Sequence, residues 1–334
     1  MSKRDFLTTA DWQRDELQAL IDHAKQFRDG ATSAAMAGKS IACLFFNPSM
    51  RTRTSFELGA HQLGGKAIIL APGKDAWPME FEFGSVMDGE AEEHIKEAAA
   101  VLSRYCDLIA VRAFPKFQDW SVDRQDITIH AVAKYASVPV INMETIVHPC
   151  QELALMQNLQ SQLGTPDGRK FVLTWTYHPK PLNTAVANSA LLIATKFGMD
   201  VTLLCPNEDY RLDERYMKIG AQNAAASGGS LTVSHDIDSA YDGAEFVYAK
   251  SWGALPFFGR WDEEKPVREA SRHFMVDGAK MARTNNARFS HCLPLRRNIK
   301  ATDEVMDAPY CVAIDEAENR LHVQKALMAR LLDS

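Results

Sequence analysis

Short apolar runs alternate with longer stretches of helical spacing along almost the whole of this chain, and the alternation comes in two series. In the first series the runs are IACLFF (41–46), KAIIL (66–70), DLIAVR (107–112) and PVINM (139–143). Runs that are apolar at every position, rather than at every second one, suit strands covered on both faces. That is the condition of a parallel sheet flanked by helices. Helices are expected between them at roughly 11–28, 55–64 and 92–105. HPCQELALMQNLQSQLG (148–164) then reads as a helix ending at Gly164, and a turn with Pro166, Asp167 and Gly168 follows. The second series has strands at 171–177, 200–206, 231–236, 245–251 and 288–294, with helices at 183–197 and 210–227. The expected fold is therefore α/β, with two doubly wound parallel-sheet domains over 1–150 and 151–315. The sequence leaves open whether the closing amphipathic stretch, 316–334, packs back on the first domain. In sheets of this kind ligands bind beyond the carboxyl ends of the strands.

A chain of 334 residues is long enough for two cores. Its net charge of −6 argues against a general nucleic-acid binder, while leaving room for a local basic pocket. The longest apolar candidates, such as SALLIA (189–194), are far too short to cross a bilayer, and MSKRDFLTTADW lacks the apolar core of a secretory signal. Six scattered cysteines (Cys43, Cys106, Cys150, Cys205, Cys292 and Cys311) suit reduced thiols in a cytoplasm.

The most informative segment is FFNPSMRTRTSFELG (45–59). A buried strand ends at Phe46, a turn passes through Asn47-Pro48, and a helix opens near Ser49–Arg53. A helix start carries unpaired N–H groups and partial positive charge, which hold anions. Ser49, Thr52 and Thr54 add hydroxyls, and Arg51 and Arg53 add guanidinium forks suited to phosphate. The plainer alternative is a serine-capped helix with surface arginines. Neither a G-x-x-x-x-G-K-[ST] loop nor a strand leading into G-x-G-x-x-G is present, which disfavours ATP and a nicotinamide-dependent dehydrogenase. A small phosphate compound is the expected anion.

S-M-R-T-R-T-S-F-E resembles the signature with which aspartate and ornithine carbamoyltransferases grip carbamoyl phosphate. HPCQ (148–151) resembles that family's H-P-x-Q element, and HCLP (291–294) its ornithine-type H-C-L-P. All three stand in the family's order across essentially the whole chain. The resemblance implies that Ser49, Met50, Arg51, Thr52 and Arg112 bind the phosphate. His148 and Gln151 would hold the carbamoyl carbonyl and amide, Arg320 would complete the pocket, and the carbonyls around Cys292 and Leu293 would receive the carbamoyl NH₂ or the attacking amine. Arg112, His148 and Cys292 are its catalytic candidates. The charges agree with these roles: attack on carbamoyl phosphate adds negative charge on oxygen to an anion already close to −2, and the three arginines answer it. No metal or cofactor is required, and the adjacent His-Cys residues at 148–150 and 291–292 make a poor zinc site.

The chain lacks the Ser-Met-Gly loop that holds ornithine's charged α-amino and carboxylate groups. YAKSWGALPFFG (248–259), apolar and aromatic, stands in its place. With PGKDAWPMEF (72–81) and WTYHPKPLNTA (175–185), this resembles the branch of the family that acts on N-acetylornithine, as against ornithine or N-succinylornithine. The resemblance implies that Glu144, Lys250 and Leu293 contact acetylornithine. It also implies that Trp77 joins the carbamoyl phosphate site of a neighbouring subunit in a homotrimer, that Glu92 sets the acyl preference, and that Lys300 is carboxylated. Taken singly, Glu92 reads as a solvated helix-start charge and Lys300 as an exposed lysine, and Arg296 and Arg297 would lower the latter's pKa. A non-catalytic anion-binding protein is the alternative of another class, and the amine-side residues count against it.

Overall fold

Each series of apolar runs builds its own parallel sheet in the computed structural model, which describes residues 3–333. One unit comprises the chain up to Pro115, Ser121–Cys150 and the chain from Asn319 onward; the other comprises Lys116–Trp120 and Gln151–Glu318. The last helix, Ala313–Leu332, therefore contributes its first residues to one unit and the rest to the other.

In the first unit the strands are Ser40–Phe45 (β1), Lys66–Leu70 (β2), Met79–Glu80 (β3), Glu93–His94 (β4), Leu108–Arg112 (β5) and Val140–Glu144 (β6). The main sheet runs β2-β1-β5-β6, every pair parallel. Ile41–Phe45, β5 and β6 are buried throughout, as continuous apolar runs require. KAIIL departs from that expectation. As β2 it lies at the sheet's edge, and none of its residues is fully buried. The opposite edge is covered by the start of the chain: Phe6 donates to Val140 O and accepts from Asn142 N. The helix expected over 92–105 begins only at Ile95, because Glu93 and His94 pair with Met79 and Glu80 in a short two-stranded sheet. The helix Ile127–Tyr135 has no counterpart in the sequence reading.

The second unit's strands are Lys170–Trp175 (β7), Asp200–Leu204 (β8), Ser230–Ser234 (β9), Phe246–Lys250 (β10) and Arg288–Ser290 (β11), in the parallel order β11-β10-β7-β8-β9. The helix Ala185–Lys196 is buried from Ala185 to Thr195, which is why its sequence shows no polar face. A helix at Trp261–Ala270, with Pro266 inside it, was not legible as one. No described helix is long and apolar enough to cross a membrane.

Both sheets have a topological switch point, where successive connections leave in opposite directions and the loops at the carboxyl ends part. It lies between β1 and β5 in the first sheet and between β7 and β10 in the second. Ser49, Met50, Arg51 and Thr52 follow β1, and Arg112 and Lys250 end β5 and β10.

Candidate active site

At the first switch point the loops after β1 and β5 are laced together. Phe46 N–H donates to Arg112 O at 3.0 Å, and Asn47 Oδ1 accepts from Phe114 N at 2.6 Å. The helix Arg51–Gln62 starts from this lacing, with Ser49 Oγ accepting from Thr52 N at 3.2 Å. Ser49, one residue before the N-cap Met50, thus satisfies an N–H of the first turn as well as being a candidate ligand. Met50 is 75% exposed, which suits a residue that serves through its backbone. Arg53 and Thr54 are exposed.

Buried Thr52 receives a hydrogen bond on Oγ1 from Arg320 Nη2 at 3.0 Å, joining residues 268 positions apart. Arg112 and Glu144 are partners across β5 and β6 beside a register shift, and Arg112 Nη1 donates to the Glu144 carboxylate. The Arg112 guanidinium lies 4.5 Å from the Phe114 ring centroid, and buried His148 has Nε2 3.6 Å from Glu144 Oε2. Burial lowers the Arg320 pKa. Cys150 and Glu144 oppose that shift, and the charges of Arg112 and Arg51 add to it. Arg112 and Arg51 thus stand close enough to disfavour the charge of Arg320. The Glu144 carboxylate, which opposes that effect, is itself engaged by Arg112.

Trp77 is 67% exposed, in a loop braced by a bond from Ala71 N to Asp75 Oδ1 at 2.5 Å and by Gly73 N donating to Ala76 O at 2.8 Å. Exposed Glu92 donates its N–H to Pro78 O at 3.2 Å, so its backbone lies beside the residue that follows Trp77.

The second unit gathers the other candidates. Lys250 ends β10, His178 follows β7, and His291, Cys292 and Leu293 follow β11. His291 Nδ1 accepts from Leu293 N at 2.8 Å, which leaves its other ring nitrogen to carry the proton when the ring is neutral. That Nε2 lies 3.3 Å from Lys300 Nζ. Leu293 has φ 53°, a left-handed backbone unusual for a leucine. Lys300 is not the exposed lysine its neighbours in sequence suggest, being 2% exposed. Burial first, then the Lys250 charge and more weakly Arg296, push its pKa down to about 7 against an opposing effect of Cys292. Arg297 is no part of this, contrary to expectation: it bonds Asp303 and Asp307 instead. His178 is driven down to about 4, chiefly by burial and further by Lys300, Arg296 and Lys250. Its place in this cationic cluster had no signal in the sequence. Gln151, on the first turn of the helix Pro149–Leu163, donates Nε2 to Glu316 Oε1 at 2.5 Å. Glu144 and Lys250, assigned together to the amine, belong to different units.

Residues 4–161 match the family model of the aspartate/ornithine carbamoyltransferase carbamoyl-P binding domain, and residues 178–331 match that of the Asp/Orn binding domain. The chain belongs to the aspartate/ornithine carbamoyltransferase family. Within the family it is 70% identical over 334 residues to an N-acetylornithine carbamoyltransferase of Xanthomonas campestris pv. campestris, covering 99% of this chain and 98% of that one. It is also similar to the crystal structure of an acetylornithine transcarbamylase complexed with acetylcitrulline. That match has TM-score 0.97 and 69% identity, covering 98% of this chain and 99% of the other. A glutamate-to-alanine mutant of N-acetyl-L-ornithine transcarbamylase, complexed with carbamyl phosphate and N-succinyl-L-norvaline, matches with the same score, identity and coverage. Membership of the family accounts for the two parallel α/β sheets.

Proposed function

We infer that this chain transfers the carbamoyl group of carbamoyl phosphate to the side-chain amine of N-acetyl-L-ornithine, giving N-acetyl-L-citrulline and phosphate, as a step of arginine biosynthesis. The observation that carries the reading is the set of three arginines, Arg51, Arg112 and Arg320, collected at one helix start with Thr52 among them. Ser49, Met50, Arg51 and Thr52 supply backbone and side-chain donors to the phosphate. Arg112, Thr52 and His148 stabilise the charge that grows on the carbonyl oxygen as the neutral amine attacks the carbamoyl carbon. The new C–N bond forms, the C–O bond to phosphate breaks, and the amine's proton leaves with the phosphate or to water. Gln151 and the carbonyls around Cys292 and Leu293 take the carbamoyl NH₂, and Glu144, Lys250 and Leu293 take acetylornithine.

The absence of a clamp for a charged α-amino group favours an acylated substrate, and 70% identity to an acetylornithine enzyme favours acetyl. Trp77, large and 67% exposed on a braced loop, is suited to join a neighbouring subunit's site in a homotrimer. A lysine at a pKa near 7 is chemically suited to carboxylation, because carbamate formation needs a neutral amine. Reduced cysteines suit a cytoplasmic enzyme. The deciding experiment offers carbamoyl phosphate with ornithine, N-acetylornithine or N-succinylornithine and measures phosphate and ureido product. Turnover of N-acetylornithine is expected; turnover of none, or of ornithine in preference, sinks the reading.

A further inference from the structure

A buried carboxylate with no part in the chemistry above ties together three of the elements that carry it. Glu316 is fully buried. It accepts hydrogen bonds from Gln151 Nε2 at 2.5 Å, from Tyr248 OH at 2.8 Å and from Ser290 Oγ. The three donors come from three places in the fold. Gln151 lies on the first turn of the helix Pro149–Leu163, Tyr248 lies two residues before Lys250 on β10, and Ser290 ends β11 directly before His291, Cys292 and Leu293. All belong to the same unit as Glu316.

A carboxylate buried this completely is costly unless donors converge on it, and here three do. Oε1 accepts from both Gln151 and Tyr248, so it dictates which end of the Gln151 amide faces it. Nitrogen and oxygen of that amide cannot exchange places without setting an oxygen against the carboxylate.

We propose that Glu316 is a positioning residue that holds the Gln151 amide in one sense, so that it meets the carbamoyl NH₂ of carbamoyl phosphate, and ties that amide to the end of β11. The proposal rests on Gln151 being a ligand of the carbamoyl group. Glu316 itself touches no substrate. Its effect should therefore follow the carbamoyl end of the substrate and leave the phosphate end alone.

The test measures binding of carbamoyl phosphate and of inorganic phosphate by calorimetry in wild type, Glu316→Gln, Gln151→Ala and the double variant. In Glu316→Gln the near-isosteric carboxamide can face Gln151 with either atom, and the amide is released. Affinity for carbamoyl phosphate is expected to fall about tenfold, the scale of one hydrogen bond to a charged or well-placed partner, with affinity for inorganic phosphate retained. The double variant should lose no more than Gln151→Ala alone, since Glu316 acts through Gln151. Equal weakening toward both ligands, or full additivity, overturns the proposal. So does an undiminished affinity for carbamoyl phosphate in Glu316→Gln when Gln151→Ala has lost it. If instead Gln151→Ala binds carbamoyl phosphate normally, the assignment of Gln151 is what fails. Should Glu316→Gln not fold, Tyr248→Phe and Ser290→Ala each remove one anchor from the carboxylate. A loss of about threefold confined to carbamoyl phosphate is expected in each, and no loss in either overturns the proposal.

Discussion

Lys300 shows how far one side chain's surroundings can change its chemistry. Its folded pKa near 7 lies below the ordinary lysine value of 10.5, so the unfolded chain binds the extra proton between those limits. Stability should therefore rise with pH from about 7 to about 10.5, and below 7 an unmodified Lys300 should cost the fold on the order of 5 kcal/mol. Lys300→Met should flatten that slope in thermal melts taken across the range, and an unchanged slope would contradict the burial argument. Carboxylation would replace the cation with an anion; ¹³C NMR with labelled bicarbonate should show a carbamate signal in wild type that Lys300→Met lacks. The acyl preference that the family resemblance implies for Glu92 would work by repulsion. A succinyl carboxylate about 4 Å away would be disfavoured by about 1 kcal/mol in bulk water and about 4 kcal/mol at an effective dielectric of 20. Because Glu92 is exposed, the screened end of that range applies, and the preference for acetyl due to it should be several-fold or more. Glu92→Ala should shift the ratio of kcat/KM toward succinylornithine while leaving KM for carbamoyl phosphate near its wild-type value. A ratio that does not move would place acyl selection elsewhere.

The loop after β10 is held by its neighbours more than by its own conformation. Gly253 donates N–H to Leu182 O, and a Cβ there would lie 2.8 Å from the Trp261 ring and 2.9 Å from Pro181 Cβ. Trp252 Nε1 donates to Tyr210 O, and Trp252 O accepts from Trp175 Nε1. Gly253→Ala must push this loop away from the Trp261 side, at a cost of about 1–3 kcal/mol. KM for the amine should rise more than KM for carbamoyl phosphate, because Lys250 leads into the loop; equal rises would refute that. This loop also marks where the sequence stops being informative. Continuous apolar runs announced most strands, and the hydroxyl-arginine start of the helix Arg51–Gln62 was written within ten residues. Whether KAIIL lies in the middle or at the edge of a sheet depends on strand order, which no local run encodes. The helix Ile127–Tyr135 follows a left-handed Asp126 with no side-chain cap, and Trp261–Ala270 is charged and contains a proline, so neither announced itself. The Lys300–His291 contact and the three donors on Glu316 are products of tertiary arrangement. Arg320 was identified through family resemblance, since a lone arginine in an acidic helix carries no signal.

At the scale of the assembled molecule, the proposed sharing of sites makes a quantitative claim. Trp77→Ala and Arg51→Ala should each be nearly inactive alone, Arg51→Ala through loss of a phosphate fork. Mixed and allowed to exchange subunits, they should recover about a quarter of wild-type activity, because random pairing gives that share of sites both an intact host and an intact neighbour. No recovery after demonstrated exchange, or full activity from a monomer by light scattering, would exclude sharing. The bond from Arg320 to Thr52 has a further consequence, one of timing. Thr52 is synthesised 268 residues before its partner. At about 5–20 residues per second the gap is roughly 10–50 s. Through that interval the emerging chain carries Thr52 and Arg51 from the start, gains Arg112 part-way and lacks Arg320 to the end. If the three arginines hold carbamoyl phosphate as proposed, tight binding is expected only once translation has nearly finished, when the half of the chain that would use the labile compound already exists.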